Sequence, residues 1–182
     1  MPFPANWLEE LIVEWLDLDG FATTTKIRVP AGPGGAWSPD VAGAKLIGRR
    51  LLIRHCECAE FLNQDPEQQA ERYKRKFSDK VQKAVREHFS FIFGSKEANE
   101  AMYEKWVICC GVGKLGTEKM KQAISDLRIY QIKKFVFKDV IPTIERYRQP
   151  PNTKTTTLPA DKWLLCLLDR FRQFDLINPN PD

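Results

Sequence analysis

Several features are missing from this chain, and each absence makes one class of protein or site less expected. No stretch approaches the roughly 18 apolar residues that a membrane-spanning helix needs, so we expect no membrane contact. Residues 1–6 lack the basic region followed by an apolar one that marks a secretory signal. The chain has five cysteines, and an odd number without a signal indicates a reducing compartment, so we expect a cytoplasmic protein.

Two common site motifs are also missing. Cys56 and Cys58, together with Cys109 and Cys110, do not have the spacing of zinc-binding cysteines. We expect Cys56 and Cys58 to pack as small apolar groups. Residues 111–117 superficially resemble a phosphate-binding loop, but the lysine that should follow the last glycine is absent. This segment is therefore expected to be a turn from a strand into a helix.

Charge is present but unevenly distributed. The chain carries a formal net charge of +4, yet the first 20 residues contain five acidic side chains and no Lys or Arg. Residues 71–87 have seven basic side chains against three acidic ones, a local charge of 7 − 3 = +4. An acidic segment and a basic one fit a metal site beside a phosphate-binding surface. The alternative is two solvated helix faces.

Hydrophobic periodicity and turn residues predict an α/β protein with a mixed central sheet flanked by helices. The expected helices span residues 5–19, 65–77, 79–92, 117–127, 139–148 and 161–174. The expected strands span residues 21–29, 40–47, 51–58, 106–110 and 129–137, the first three as a meander. We assign residues 1–148 to the α/β core. Residues 149–182 are expected to form a connection and a C-terminal helix that packs on the same domain.

Two acidic residues stand at the ends of the central hairpin. Asp40 begins one predicted strand and Glu57 lies near the end of the next, with a turn between them at residues 47–50. These positions fall at the same end of a hairpin, so the carboxylates can converge. Burying unpaired charge costs several kcal/mol, whereas two carboxylates suit a hard cation such as Mg²⁺. The alternatives are a turn role for Asp40 and a strand-end salt bridge for Glu57.

These acids carry a resemblance to a known family. Pro39-Asp40 and Glu57-Cys58-Ala59, between an acidic helix and a basic one, resemble the motif of the restriction-endonuclease-like superfamily, the PD-(D/E)xK nucleases. The resemblance covers residues 5–135 and implies a core of αβββαβ order. It also implies a magnesium-dependent deoxyribonuclease, with Mn²⁺ as a second suitable ion, that hydrolyses DNA phosphodiester bonds.

The resemblance also assigns the remaining ligands. In this family the two acids bind the metal, which places Asp40 and Glu57 in that role. The backbone carbonyl of Cys58 is implied as a further ligand. A glutamate of the first helix often completes the site, and Glu14, at the border of the apolar stripe of that helix, is the candidate. The alternative is that Glu14 lies on a solvated helix face.

The chain departs from the family at the catalytic lysine. The family has a lysine two residues after the second acid, and here that position is Ala59. Some members recruit a lysine from the following helix, for which Lys74 and Lys76 are candidates. Helical spacing favours Lys76 over Lys74, because Lys76 shares one stripe with other site candidates. The members of that stripe are Gln69, Tyr73, Lys76 and Lys80. The alternative is that Lys76 is an ordinary surface lysine.

The same helix is expected to contact DNA. Gln69-x-x-x-Tyr73 is similar to a signature of the exonuclease branch of the family. With Lys74 and Lys80, these side chains form the predicted nucleic-acid-binding set. His55 shares the strand face of Glu57 by alternation, and a structural role for it is favoured over contact with substrate.

Two other functions stay open. If neither lysine reaches the acids, the protein would be a non-catalytic nucleic-acid-binding relative, which Ala59 supports. It could instead be an interaction protein of a larger complex. In that case the helix at residues 161–174 would dock a second copy of the chain or a partner protein.

Overall fold

The computed structural model describes residues 6–29, 38–62, 65–148, 157–174 and 176–177. The elements in chain order are α1 (Trp7–Leu18), β1 (Ala22–Thr24), β2 (Val41–Ile47), β3 (Arg50–Leu62), α2 (Pro66–Lys76), α3 (Asp79–Phe93), α4 (Ser95–Asn99), β4 (Met102–Val112), α5 (Lys114–Ala123), β5 (Leu127–Gln131), α6 (Ile132–Phe135), a π-helical segment (Val136–Val140), α7 (Ile141–Arg148) and α8 (Trp163–Gln173). Residues 149–156 of the predicted connection lie outside the described residues.

A five-stranded mixed sheet organises the fold. Its strand order is β1-β2-β3-β4-β5. The first three strands form an antiparallel meander, and β4 and β5 then extend the sheet in parallel through helical crossovers. The predicted α/β class, with a mixed sheet flanked by helices, is therefore confirmed.

The sheet separates two apolar layers, because successive side chains of a strand point to opposite faces. Cys56 of β3 joins a buried cluster with α1, α6, α7 and Leu165 of α8. Ile53 of the same strand lies in a second cluster with α3. A third cluster joins α2, β4 and α5 through residues such as Tyr73 and Val107. Odd-numbered residues of β3, Glu57 among them, therefore face α2 and α3.

Local caps define the helices beside the site. The Asp65 side chain accepts hydrogen bonds from the backbone N–H groups of Glu67 and Gln68, and Pro66 follows as the first helical residue. This cap confirms the predicted start of α2. The Asn6 side chain caps α1 in the same way through Leu8 and Glu9.

Two predicted strands are shorter than expected. The strand predicted at residues 21–29 pairs only over Ala22–Thr24, which lie opposite Ala42–Ala44 of β2. Ile27 and Val29 are still buried, packed in the cluster with α3. Their apolar character reflects packing there and not membership of a strand.

The strand predicted at residues 129–137 is wrong beyond Gln131, where the chain turns helical. Phe135, Val136 and Val140 pack in the cluster with α1, a spacing that a helix presents on one side. The helix predicted at residues 117–127 begins at Lys114 and ends at Ala123 instead. The short helix α4 was not predicted.

No helix in the described ranges has both the length and the apolar character needed to cross a lipid bilayer.

Candidate metal centre

The pairing of β2 with β3 brings the two predicted acids together. Val41 lies opposite Cys56, so Asp40, immediately before β2, comes beside the following residue, Glu57. The Oδ2 atom of Asp40 accepts a hydrogen bond of 2.7 Å from the backbone N–H of Cys58. This bond fixes the Asp40 carboxylate against β3.

Helix α2 adds a cation to the two acids. Lys76 is its last residue, and Nζ lies 3.0 Å from Oδ1 of Asp40 and also bonds Oε2 of Glu57. Lys74 points away: its side chain is 60% exposed and pairs with Glu71 at 3.6 Å. Of the two candidate lysines, only Lys76 therefore reaches the acids.

A buried hydrogen-bond chain holds the other oxygen of Glu57. Nε2 of His55 lies 2.7 Å from Oε1 of Glu57, and Nδ1 lies 2.9 Å from the hydroxyl of Tyr103. Burial, with the positive charge of Lys76, lowers the pKa of His55 to about 3, so the ring is neutral. A neutral imidazole has one N–H. If Nε2 carries this hydrogen and donates it to Glu57 in a hydrogen bond, Nδ1 accepts a hydrogen bond from the hydroxyl of Tyr103.

The charges of this cluster do not balance. Burial and then the charge of Glu57 raise the pKa of Asp40 to about 6, against the lowering effect of Lys76. Burial also raises the pKa of Glu57, although Lys76 opposes it. For Lys76, burial lowers the pKa, but the charges of Glu57 and Asp40 outweigh it, and the pKa is raised. Two carboxylates face one ammonium, so the cluster favours a further positive charge.

The residues present fit Mg²⁺. Both Asp40 and Glu57 contact the Nζ atom of Lys76, so their carboxylates lie close enough together to share a cation. Mg²⁺ is often held by one or two carboxylates and completes its shell with water and substrate phosphate. Among the described residues there is no group of three or more His, Cys, Asp or Glu side chains placed for a metal ion. A site here would therefore rest on these two acids. The carbonyl of Cys58 stays a predicted ligand.

Glu14 does not join the two acids, contrary to the expectation from the family. Its carboxylate is buried and accepts hydrogen bonds from the backbone N–H groups of Leu164, at 3.3 Å, and Leu165, at 2.9 Å. These N–H groups belong to the first turn of α8 and have no hydrogen-bond acceptor within their own helix. Burial raises the pKa of Glu14, and the two N–H groups partly offset this. Glu14 thus fixes α8 to α1.

Replacing Glu14 is accordingly expected to cost stability and to leave the cluster of Asp40, Glu57 and Lys76 intact. Glu14→Ala removes the acceptor of two buried N–H groups, for an expected loss of about 1–3 kcal/mol in the free energy of unfolding. Urea unfolding measures this loss, and a metal-induced thermal shift equal to that of the wild type shows that the site is intact. If Glu14→Ala were as stable as the wild type but lost the metal-induced shift, Glu14 would be assigned to the metal site after all.

Sequence reasoning missed a different acid of α1. Glu9 is buried, accepts a hydrogen bond of 3.0 Å from the Asn6 side chain, and is among the charges that raise the pKa of Cys58, after burial and the nearer acids. The first turn of α1 therefore lies on the face of the sheet that carries Cys58, opposite the face that carries Glu57. Only the capping pattern Asn6-x-x-Glu9 marks this position in the sequence.

The predicted DNA-contacting stripe does not form one exposed surface. Gln69 and Tyr73 are buried, and Gln69 packs against Gly116 of α5 so closely that a Cβ there would lie 2.5 Å from Oε1. These two side chains hold α2 against α5 and are not a surface for DNA. Lys80 is exposed but belongs to α3, because α2 ends at Lys76 and the stripe is broken.

Comparison with known proteins adds no identification. No protein-family model, no curated protein and no solved structure matches the chain. The resemblance to the PD-(D/E)xK nucleases therefore rests on the motif residues of the sequence.

Proposed function

We propose that this protein is a metal-dependent nuclease that hydrolyses DNA phosphodiester bonds, built on a restriction-endonuclease-like core. One observation carries the proposal: Lys76 reaches Asp40 and Glu57 from α2 and lies between their carboxylates. Packing does not require this arrangement, since burying two acids against one lysine leaves a negative charge uncompensated. Clusters of this kind, with strongly shifted pKa values, are typical of functional sites.

Each residue then has a role in hydrolysis. Asp40 and Glu57 would hold Mg²⁺ or Mn²⁺, which supplies Lewis-acid stabilisation of the phosphate charge and promotes ionisation of water. Lys76 orients the attacking water or stabilises the negative charge that develops on the phosphate oxygens. His55, with Tyr103 behind it, fixes the orientation of the Glu57 carboxylate.

Lys76 also weakens the case for a non-catalytic relative. That alternative depended on Ala59, which supplies no lysine to the site. Here the end of α2 supplies one, at 3.0 Å from Asp40. A lysine that enters from a helix can occupy the same functional position as one from the strand, because the chemistry depends on where the ammonium lies.

Exposed basic residues near this end of α2 support a polyanionic substrate. Lys74, Arg75 and Lys80 are all exposed and lie within four residues of Lys76 along the chain. Without such charges, two buried acids would repel a phosphate. Binding through phosphates would weaken steeply with salt.

The proposal is tested by incubating the wild-type protein with circular and linear DNA in Mg²⁺, in Mn²⁺ and in excess EDTA. We expect cleavage with either metal and none with EDTA. Nicking of circles would assign an endonuclease, and loss of linear DNA alone an exonuclease. A folded wild type that cleaves neither substrate with either metal would overturn the proposal. Salt-sensitive DNA binding in that protein would then favour the binding role.

A further inference from the structure

The outward side of α8 is apolar. Trp163, Leu167, Phe171 and Phe174 are 50%, 40%, 36% and 67% exposed, and their spacing of four, four and three residues places them on one side of the helix. We call these four residues the α8 face. The opposite side of the helix carries the buried Leu165, which packs in the cluster with α1. The inner side therefore packs α8 against the rest of the protein.

The α8 face has an acidic end and a basic end. At its start, Nε1 of Trp163 donates a hydrogen bond of 2.7 Å to the carboxylate of Glu10 on α1. Toward its end, Arg170 lies between Leu167 and Phe174 on the same side of the helix and is exposed. Arg170 has no ion pair with any residue in the described ranges. Its charge is thus free to serve an interaction outside the subunit.

We propose that a second copy of this chain binds the α8 face, with the two α8 helices antiparallel about a twofold axis. In this arrangement the basic end of one face covers the acidic end of the other. Arg170 of the second copy then comes within about one helical turn, roughly 5.4 Å along the axis, of Trp163. It meets the carboxylate of Glu10 there, and the symmetry forms this contact twice.

Self-complementarity favours a second copy over an unrelated partner. The face itself supplies both the acid and the base of each contact, so no other protein is needed to complete the pairing. Antiparallel helices also place opposite ends of their dipoles together. Trp and Phe are enriched in the cores of protein interfaces. One helix face offers less than the roughly 800 Å² per partner of a typical stable interface, so the dimer should be concentration-dependent.

Sedimentation equilibrium of the full chain over a wide concentration range tests the proposal. We expect the wild type to dimerise and both Glu10→Arg and Arg170→Glu to weaken dimerisation by about tenfold or more. An equimolar mixture of these variants should recover it. One variant then brings two bases and the other two acids, so both contacts of the mixed dimer join opposite charges. Phe91→Glu, at an exposed position of α3, is the matched control and should leave dimerisation unchanged.

Several results would overturn the proposal. They are a wild type that stays monomeric at every concentration, dimerisation that neither charge reversal weakens, and a mixture that recovers nothing. A monomeric wild type whose α8 face binds a different protein would also refute it. Arg170 is exposed and has no internal ion pair with the described residues, so Arg170→Glu should fold normally, as circular dichroism can check. Sedimentation measures the molecular mass of the protein and not DNA cleavage, so the result is independent of the proposed nuclease activity.

Discussion

Lys76→Ala is expected to reduce DNA cleavage by about 100- to 1,000-fold, the cost typical of removing one donor that stabilises transition-state charge. Lys74→Ala, which can weaken only DNA binding, is expected to leave the cleavage rate at saturating DNA nearly unchanged. The two lysines are two residues apart on α2, but only Lys76 contacts Asp40 and Glu57, while Lys74 is 60% exposed. Lys74→Ala therefore removes the same charge from the same helix without altering the site. Cleavage rates measured with saturating Mg²⁺ give the comparison.

Metal binding separates this role from a structural one. Without Lys76, the two acids face each other with no cation, so the variant should be less stable than the wild type in EDTA. Mg²⁺ or Mn²⁺ should then raise its melting temperature by more than that of the wild type, because the metal replaces the lost charge. Asp40→Ala should instead lose both cleavage and the metal-induced shift. Equal activity of Lys76→Ala and wild type would refute the catalytic role of the lysine.

The parts of the site that sequence could predict are those fixed by local geometry. A two-residue turn sets the register of β2 against β3, with Ile47 opposite Arg50, and that register alone brings Asp40 beside Glu57. Lys76 follows from helical spacing after a clear cap at Asp65. Each inference needed only the period of one element and the position of one turn.

The parts that sequence could not predict depend on distant packing. Glu14 and Glu9 lie on the same helix, and the sequence around Glu14 does not show that its role differs from that of Glu9, which bonds the capping residue Asn6. The difference arises because α8, 150 residues away, docks its first turn on Glu14. The role of His55 likewise depends on Tyr103, 48 residues later on the neighbouring strand.

The failed strand prediction has a similar cause. Residues 132–137 contain Ile, Phe and Val, which favour strands on propensity alone. The cluster with α1 selects the helix instead, because Phe135, Val136 and Val140 can then face it together. Tertiary packing overrides local preference here, as it does for the apolar but unpaired Ile27 and Val29.

The metal-free protein is expected to lose stability as the pH rises from about 4 to above 6. Folding raises the pKa of Asp40 from 3.8 to about 6, chiefly through burial and then through the charge of Glu57. The folded state therefore binds the Asp40 proton more tightly than the unfolded state does. The contribution of protonated Asp40 to the free energy of unfolding is complete below pH 3.8 and is lost as the pH rises through about 6. A shift of this size corresponds to about 3 kcal/mol.

Asp40→Asn should remove most of this dependence. The neutral amide can still accept the hydrogen bond from the N–H of Cys58. It also leaves one negative charge, on Glu57, opposite the positive charge of Lys76. In EDTA the variant should be as stable as the wild type near pH 4 and more stable at pH 7.5, by up to about 3 kcal/mol. Urea unfolding at intervals from pH 4 to pH 8 measures both curves. Glu118→Gln, at an exposed position of α5, serves as the control and should follow the wild type. Parallel curves of unfolding free energy against pH for the wild type and Asp40→Asn would show that ionising Asp40 does not destabilise the fold. That result would contradict the uncompensated negative charge from which the metal site is argued.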